Sequence, residues 1–252
     1  MMRINLIPMA GDGSRFIKGG YKTPKPLIDV DGLPMVIRAA KSLPKADKYI
    51  FVCRESHIAN TNIENIIYSH FSNSKIIKIN ELTEGQAITC MLAKDHIPGD
   101  SILTIGASDN DMIYDEKYFS QILQNNDLGG CIWTFRNNQS VLQNPNMYGW
   151  VNVTNKQATS ISCKKPISNN PINDHAIVGA FTFKKAQYFF DAVKKMTEEN
   201  YRINNEFYVD VAVDFVLKNK IKLSVIEVDR YVCWGTPKDY ETYVYWLKYF
   251  KK

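Results

Sequence analysis

Apolar residues fall along this chain in short runs separated by polar turns, and the spacing alternates between strand-like and helix-like. Residues 4–8 (INLIP) form a short, largely apolar run of strand length, which predicts a buried first strand. Residues 35–43 carry helical spacing, 49–53 (YIFVC) read as a second strand, and 58–71 read as a helix. A strand at 75–79, a helix at 86–94, a strand at 101–105 and a helix at 116–123 follow. Such alternation predicts an α/β fold, a mostly parallel sheet with helices on both faces. After Asn125 the pattern changes. Residues 132–136, 148–153 and 177–183 are strand-like, with Asn-rich loops such as ISNNPIND between them, and predict a mixed extension of the sheet. Helices at 185–199 and 207–218, a strand at 222–228 and a helix from Asp239 complete the chain. No internal repeat or linker divides it, so residues 1–252 read as one domain with halves at 1–125 and 126–252.

In such sheets ligands sit beyond the C-terminal ends of the strands. The segment after the first strand reads AGDGSRFIKGGYKTPKPL. Gly11 and Gly13 let the backbone approach a polyanion, and successive N–H groups can form a nest around phosphate oxygens. Arg15 adds a planar fork and Lys25 a compact point charge. Phe16 stands where the dinucleotide fingerprint needs a third glycine, and no GxxxxGK[ST] is present, which argues against an NAD site and a P-loop. In TEGQAIT, Gly85 permits close approach and the Gln86 amide can read a nucleobase edge, while Thr83 and Gln86 also have the spacing of a capping box. At the end of the strand at 101–105, Asp109 can hold a hard cation through oxygen, with Asp111 a second candidate. The alternative there is a polar turn.

Composition narrows the classes. A net charge of +5 suits anionic small substrates, and no dense Lys/Arg run with interleaved aromatics favours nucleic acid. The five cysteines are scattered and form no CxxC pair, so neither a zinc site nor a disulfide framework is expected. The N-terminus lacks a signal-peptide pattern, and no apolar run has the length of a membrane span, so a cytoplasmic protein is expected.

The span from Gly11 to Leu27 resembles the G-x-G-x-R…P-K-P-L signature of the sugar-phosphate nucleotidyltransferases, the nucleoside-diphosphate-sugar pyrophosphorylases, with a long loop between Arg15 and Lys25. Further stretches follow in that family's order. TEGQAIT resembles its base-recognition loop, and Ser108, Asp109 and Asn110 its G-D-N element. Tyr148-Gly149-Trp150-Val151, then Ser162-Cys163-Lys164-Lys165-Pro166, then Gly179 resemble its Y-G-x-V … E-K-P … G-x-Y series. NNEFYVDV resembles E-x-E-I-T-D-V, and VIEVDRYVCWGTPKDY the W-L-D-T-G-T region.

The resemblance implies a Rossmann-like nucleotidyltransferase fold and the joining of a nucleoside triphosphate to a phosphate monoester with release of pyrophosphate. It assigns the nucleotide to Ala10, Gly11, Gly13, Ser14, Arg15, Lys25, Glu84, Gly85, Gln86 and Ser108 in the first half, with Arg15 and Lys25 catalytic. It assigns the acceptor to Tyr148, Lys164, Lys165 and Gly179 in the second half, and Mg²⁺ to Asp109. Two departures stand out. Lys164 replaces a glutamate that binds sugar hydroxyls, and an ammonium only donates hydrogen bonds, which suggests an acceptor presenting a carboxylate or another anion instead of a hexose ring. Cys233 occupies the place of the second metal aspartate; Asp229, which with Glu227 resembles the E-x-D of the phosphocholine cytidylyltransferases, is the first choice for that role and Asp210 the second. The likeness extends to cytidylyltransferases of bacterial capsule synthesis that act in the capsular phosphoramidate pathway. This branch implies CTP and L-glutamine phosphate. A hexose-1-phosphate nucleotidyltransferase and a non-catalytic nucleotide-binding regulatory subunit remain alternatives. Tyr240, Tyr243, Val244 and Leu247 recur at helical spacing, as core or as a subunit contact of a homodimer.

Overall fold

The structure, a computed structural model, describes residues 1–251. In chain order the strands are β1 (Arg3–Met9), β2 (Asp29–Val30), β3 (Leu33–Pro34), β4 (Lys48–Arg54), β5 (Ser74–Ile79), β6 (Ile102–Gly106), β7 (Asn110–Ile113), β8 (Gly130–Phe135), β9 (Gly149–Thr154), β10 (Gln157–Cys163), β11 (His175–Phe183), β12 (Leu223–Glu227) and β13 (Arg230–Cys233). The helices are α1 (Ser14–Lys18), α2 (Met35–Ser42), α3 (Glu55–Asn60), α4 (Ile63–His70), α5 (Gln86–Met91), α6 (Glu116–Gln124), α7 (Ser140–Gln143), α8 (Ala186–Glu198), α9 (Val209–Lys218) and α10 (Pro237–Phe250). No helix is long and apolar enough to cross a membrane among the described residues.

The main sheet has nine strands in the order β5-β4-β1-β6-β11-β8-β12-β10-β9. β5, β4, β1 and β6 are parallel, and β11 enters antiparallel between β6 and β8. Both faces of the parallel strands are apolar. Ile4, Leu6, Ile50 and Val52 pack into one core with α5, α8 and α9, whereas Ile7, Met9, Phe51 and Cys53 pack into another with α2 and α4. This period-two alternation follows from the pleat. Inside the sheet, Trp133 Nε1 donates to Thr182 Oγ1 at 3.0 Å and the Thr104 and Thr182 hydroxyls meet at 2.9 Å, so the buried polar groups of β6, β11 and β8 satisfy one another.

The predicted α/β class with a mixed sheet flanked by helices is the fold observed; the parallel part is confined to β5, β4, β1, β6 and the β8–β12 pair, and the other five pairings of that sheet are antiparallel. Local differences have local causes. The helix expected over 58–71 is two, because Thr61 is extended and its hydroxyl bonds back to the His57 carbonyl. The helix expected over 86–94 stops at Met91, followed by one 3-10 turn at Lys94–His96. β10 and the β7–β13 ribbon were not foreseen: their polar or mixed sequences become strands through pairing with β9 and with each other.

The site depends on a join between the halves. Phe207 N–H donates to the Glu84 carbonyl at 2.8 Å, and Ala87 N–H donates to the Phe207 carbonyl at 3.0 Å. Gly85 has φ +126, and a Cβ there would lie 2.6 Å from both the nitrogen and the oxygen of Phe207. Gly85→Ala is therefore expected to cost about 2 kcal/mol or more, a fall in Tm of roughly 4–8 °C for a chain of this size. Gly11→Ala, where a Cβ would meet nothing within 4 Å, serves as the control in the same calorimetric melt.

Candidate functional site

β1 and β4 run parallel, so both open their C-terminal ends on the same sheet edge. The glycine loop leaves β1 there. Gly13 has φ +64, in the left-handed region that glycine adopts without cost, and it starts α1. A cavity of about 550 Å³ lies over this edge. It is lined by Ala10, Gly11, Gly13, Ser14, Lys25, Gly85, Gln86 and Ser108 of the expected nucleotide set, together with His57, Leu82, Thr83, Thr89 and Glu206. A smaller adjoining cavity of about 250 Å³ shares Gly13, Ser14 and Lys25 and adds Arg15 and Gly235. Arg15 is exposed while its neighbour Phe16 is buried. Phe16 packs with Ile28, Val30, Met35 and Trp234, a small core that anchors the glycine loop to the start of α10.

At the junction of the two cavities, Lys25 Nζ donates to Asp109 Oδ2 at 2.5 Å and to the Gly235 carbonyl at 3.3 Å. Residues 25, 109 and 235 thus meet in one contact. Asp109 is held from behind: Asn110 Nδ2 donates to the Val178 carbonyl at 2.7 Å, and Ala107 N–H donates to the Gly179 carbonyl at 3.0 Å. Gly179, with φ +90, sits at an irregularity of β11 and would touch Ala107 Cβ at 3.2 Å if it carried a Cβ. Its place is support of the Asp109 loop.

Several expected residues lie elsewhere. Glu84 points out of the cavity and pairs with Arg202 at 3.2 Å. Thr83 does not cap α5; its hydroxyl donates to the Gly85 carbonyl at 3.0 Å. Asp111 pairs with Arg38 on α2, with Nε to Oδ2 at 3.2 Å. Asp229 is not brought to Asp109. Its N–H donates to the Ile113 carbonyl, whereas Trp234 N–H donates to the Asp109 carbonyl. Five residues of strand separate the two aspartates' places, about 17 Å. The side chain that does stand near Asp109 is Cys233: a Cβ on Gly235 would meet its Sγ at 3.2 Å and Asp109 Oδ2 at 3.5 Å.

Of the residues expected to hold the acceptor, Lys164 and Lys165 face different ways. Lys165 is exposed and lines a separate small cavity with Tyr201 and Asp214. Lys164 turns inward, donates to the Met147 carbonyl and lies 5.3 Å over the Tyr208 ring. Burial raises the Asp210 carboxyl pKa, and the Lys164 charge opposes that rise. Asp210 packs so tightly on Gly149 that a Cβ there would lie 2.1 Å from Oδ2. Tyr148 is half-buried against Phe135 and Trp150.

As a cation site the residues offer Asp109 alone. No group of three or more His, Cys, Asp or Glu able to hold a metal occurs among the described residues. One carboxylate fits Mg²⁺ only when substrate phosphates complete the shell. Nucleophilic cysteine chemistry is disfavoured: burial pushes the Cys163 thiol up to about 12 and the Cys233 thiol up to about 11, with nearby Asp210 and Asp109 adding to the respective shifts. At pH 7.5 both thiols stay overwhelmingly protonated, so iodoacetamide should label neither in the native protein and all five in urea, as read by mass spectrometry.

No protein-family model matches the chain. It is 25% identical over 212 residues to the bifunctional protein GlmU of Methanococcus aeolicus, an alignment covering 77% of this chain and 47% of that protein. The chain therefore spans about half the length of that relative. The nucleoside-diphosphate-sugar pyrophosphorylase from Vibrio cholerae RC9 superposes with a TM-score of 0.76 at 19% identity, covering 96% of this chain and 99% of that one. The inositol-1-phosphate CTP transferase from T. maritima gives 0.72 at 13% identity, covering 96% and 95%. A UDP-glucose pyrophosphorylase complexed with UDP-glucose gives 0.72 at 16% identity, covering 98% and 99%. The chain thus has the α/β nucleotidyltransferase fold, of the nucleoside-diphosphate-sugar pyrophosphorylase type.

Proposed function

We propose that this protein is a nucleotidyltransferase that couples a nucleoside triphosphate to a small phosphate monoester and releases pyrophosphate. The observation that carries the reading is the contact of Asp109 with Lys25, which lines the glycine-loop cavity. A triphosphate lying in the cavity puts its β and γ groups on the loop amides and Arg15, and its α group beside Lys25. The acceptor's phosphate oxygen attacks the α-phosphorus in line. One P–O bond forms, the bond from the α-phosphorus to the bridging oxygen breaks, and the electron pair leaves on pyrophosphate. Positioning and charge stabilisation carry such a displacement. Asp109 would hold Mg²⁺, which supplies neutralisation of the phosphate charge.

For the substrates we infer CTP and L-glutamine phosphate, giving CDP-L-glutamine for capsule modification. Gln86 supplies an amide for the base edge, and Lys164 a half-buried cation for the acceptor's carboxylate. A second reading, a hexose 1-phosphate, is favoured by Asp210: a carboxylate beside Lys164 accepts hydrogen bonds from sugar hydroxyls, as an ammonium does not.

Pyrophosphate release with each common triphosphate, against glutamine phosphate, phosphocholine and glucose 1-phosphate, is the direct assay. Turnover is expected with CTP and glutamine phosphate. Turnover with glucose 1-phosphate instead would transfer the acceptor role to Asp210, and silence across the panel would favour a binding subunit. In the active pair, Lys25→Ala and Asp109→Asn should each lower kcat by about 10²–10³ while the melt stays cooperative. Lys164→Gln should raise the acceptor KM and leave the triphosphate KM unchanged. Equal effects on both would remove Lys164 from the acceptor site.

A further inference from the structure

One wall of the nucleotide cavity comes from an element that no reading of the motifs marks. β4 lies beside β1 in the sheet, and α3 follows it directly, carrying His57 into the cavity that also holds Gln86, Thr83 and the glycine loop. His57 Nδ1 is buried and has no hydrogen-bond partner among the described residues. The neighbouring Arg54 Nε, at the end of β4, is likewise buried without one. A shut-in polar atom without a partner loses its water and gains nothing in return. Burial and the Arg54 charge both lower the His57 pKa, so the ring is neutral at physiological pH and can donate from one nitrogen and accept at the other.

We propose that His57 is a specificity-determining residue of the nucleotide site, its imidazole contacting the nucleobase of the bound triphosphate. This rests on the nucleotidyl-transfer reading and extends it to the base. A half-turn about the Cβ–Cγ bond exchanges Nδ1 with Cδ2 and leaves the outline of the ring unchanged. A base entering the cavity can therefore draw the nitrogen out of its unsatisfied position without moving α3. The glycine loop and Lys25 serve the phosphates, which are common to every triphosphate. Gln86 and His57 belong to the part of the cavity where one base can be told from another.

The test is direct binding by calorimetry, with CTP, UTP, ATP, GTP and inorganic tripolyphosphate as probes, and it needs no acceptor. His57→Phe keeps a flat ring without nitrogen, and His57→Asn keeps a polar group near the position of Nδ1. His57→Phe should weaken CTP about tenfold, narrow the spread among the four triphosphates and leave tripolyphosphate within about twofold. His57→Asn should retain most of the CTP affinity. An equal loss for CTP and tripolyphosphate, or no loss for either, would overturn the proposal, as would an Asn variant as weak as Phe in a protein that melts normally. If the folded wild type bound none of the triphosphates, the nucleotidyl-transfer reading itself would fall, and the role of His57 with it.

Discussion

The ammonium of Lys25 against the carboxylate of Asp109 is the contact on which the rest of the molecule converges. One partner stands on a turn after the glycine loop, the other on the exit of a central strand, and the Gly235 carbonyl joins them from the start of the last helix. None of these segments is close in sequence. The small core of Phe16, Met35 and Trp234 keeps them together, and the irregularity of β11 at Gly179 backs the Asp109 loop. With the site closed in this way, each charge neutralises the other. In the nucleotidyl-transfer reading proposed above, a polyphosphate would offer Lys25 a richer partner and release Asp109 to accept a cation, so the pair would be a resting arrangement with two separate uses.

The residues expected to hold the acceptor repeat this logic with different groups. Lys164 has φ +58, a conformation that costs a non-glycine residue about 1–3 kcal/mol. Its N–H donates to the Tyr148 carbonyl at 3.1 Å, and its ammonium reaches the Met147 carbonyl beside Tyr208 and Asp210. The strained backbone is what turns this lysine inward while the next one faces out. In the proposed reading Lys164 offers a donor and Asp210, whose carboxyl feels the Lys164 charge, an acceptor; which of the two a ligand would engage depends on whether it brings a carboxylate or hydroxyl groups.

Much of this was legible in the sequence. Runs apolar on both faces announced β1, β4 and β6, because a strand buried between two helical layers has no polar side. Gly11, Gly13, Lys25, Gln86 and Ser108 follow strands or open helices at one end of the sheet, so local pattern was enough to bring them to one cavity. Asp229 misled because its position depends on the register of β13 against β7, which local sequence does not encode. Glu84 misled because Arg202, a partner far along the chain, decides where it points. The two lysines of KKP could not be ranked without the sign of φ at Lys164. His57 and Glu206 reach the cavity only through the folding of distant segments; for His57 the available signal was its place just beyond a parallel strand.

The path of the sheet has one more consequence. At its acceptor end β9 does not stop as an open border: it pairs with β10 on one side and folds back to pair with β11 through His175 and Ala176 on the other. That leaves β5 as the free border of the nine-stranded sheet. Along it Lys75 and Lys78 are exposed between buried or half-buried isoleucines. Lys78 is paired there with Glu64 at 3.1 Å, while Lys75 stands alone among the described residues. A second chain docking edge to edge would strip both lysines of water, and charged side chains of this kind guard natural borders against runaway strand addition. The sheet is thus guarded at one border by closure and at the other by an ion pair and a further lysine.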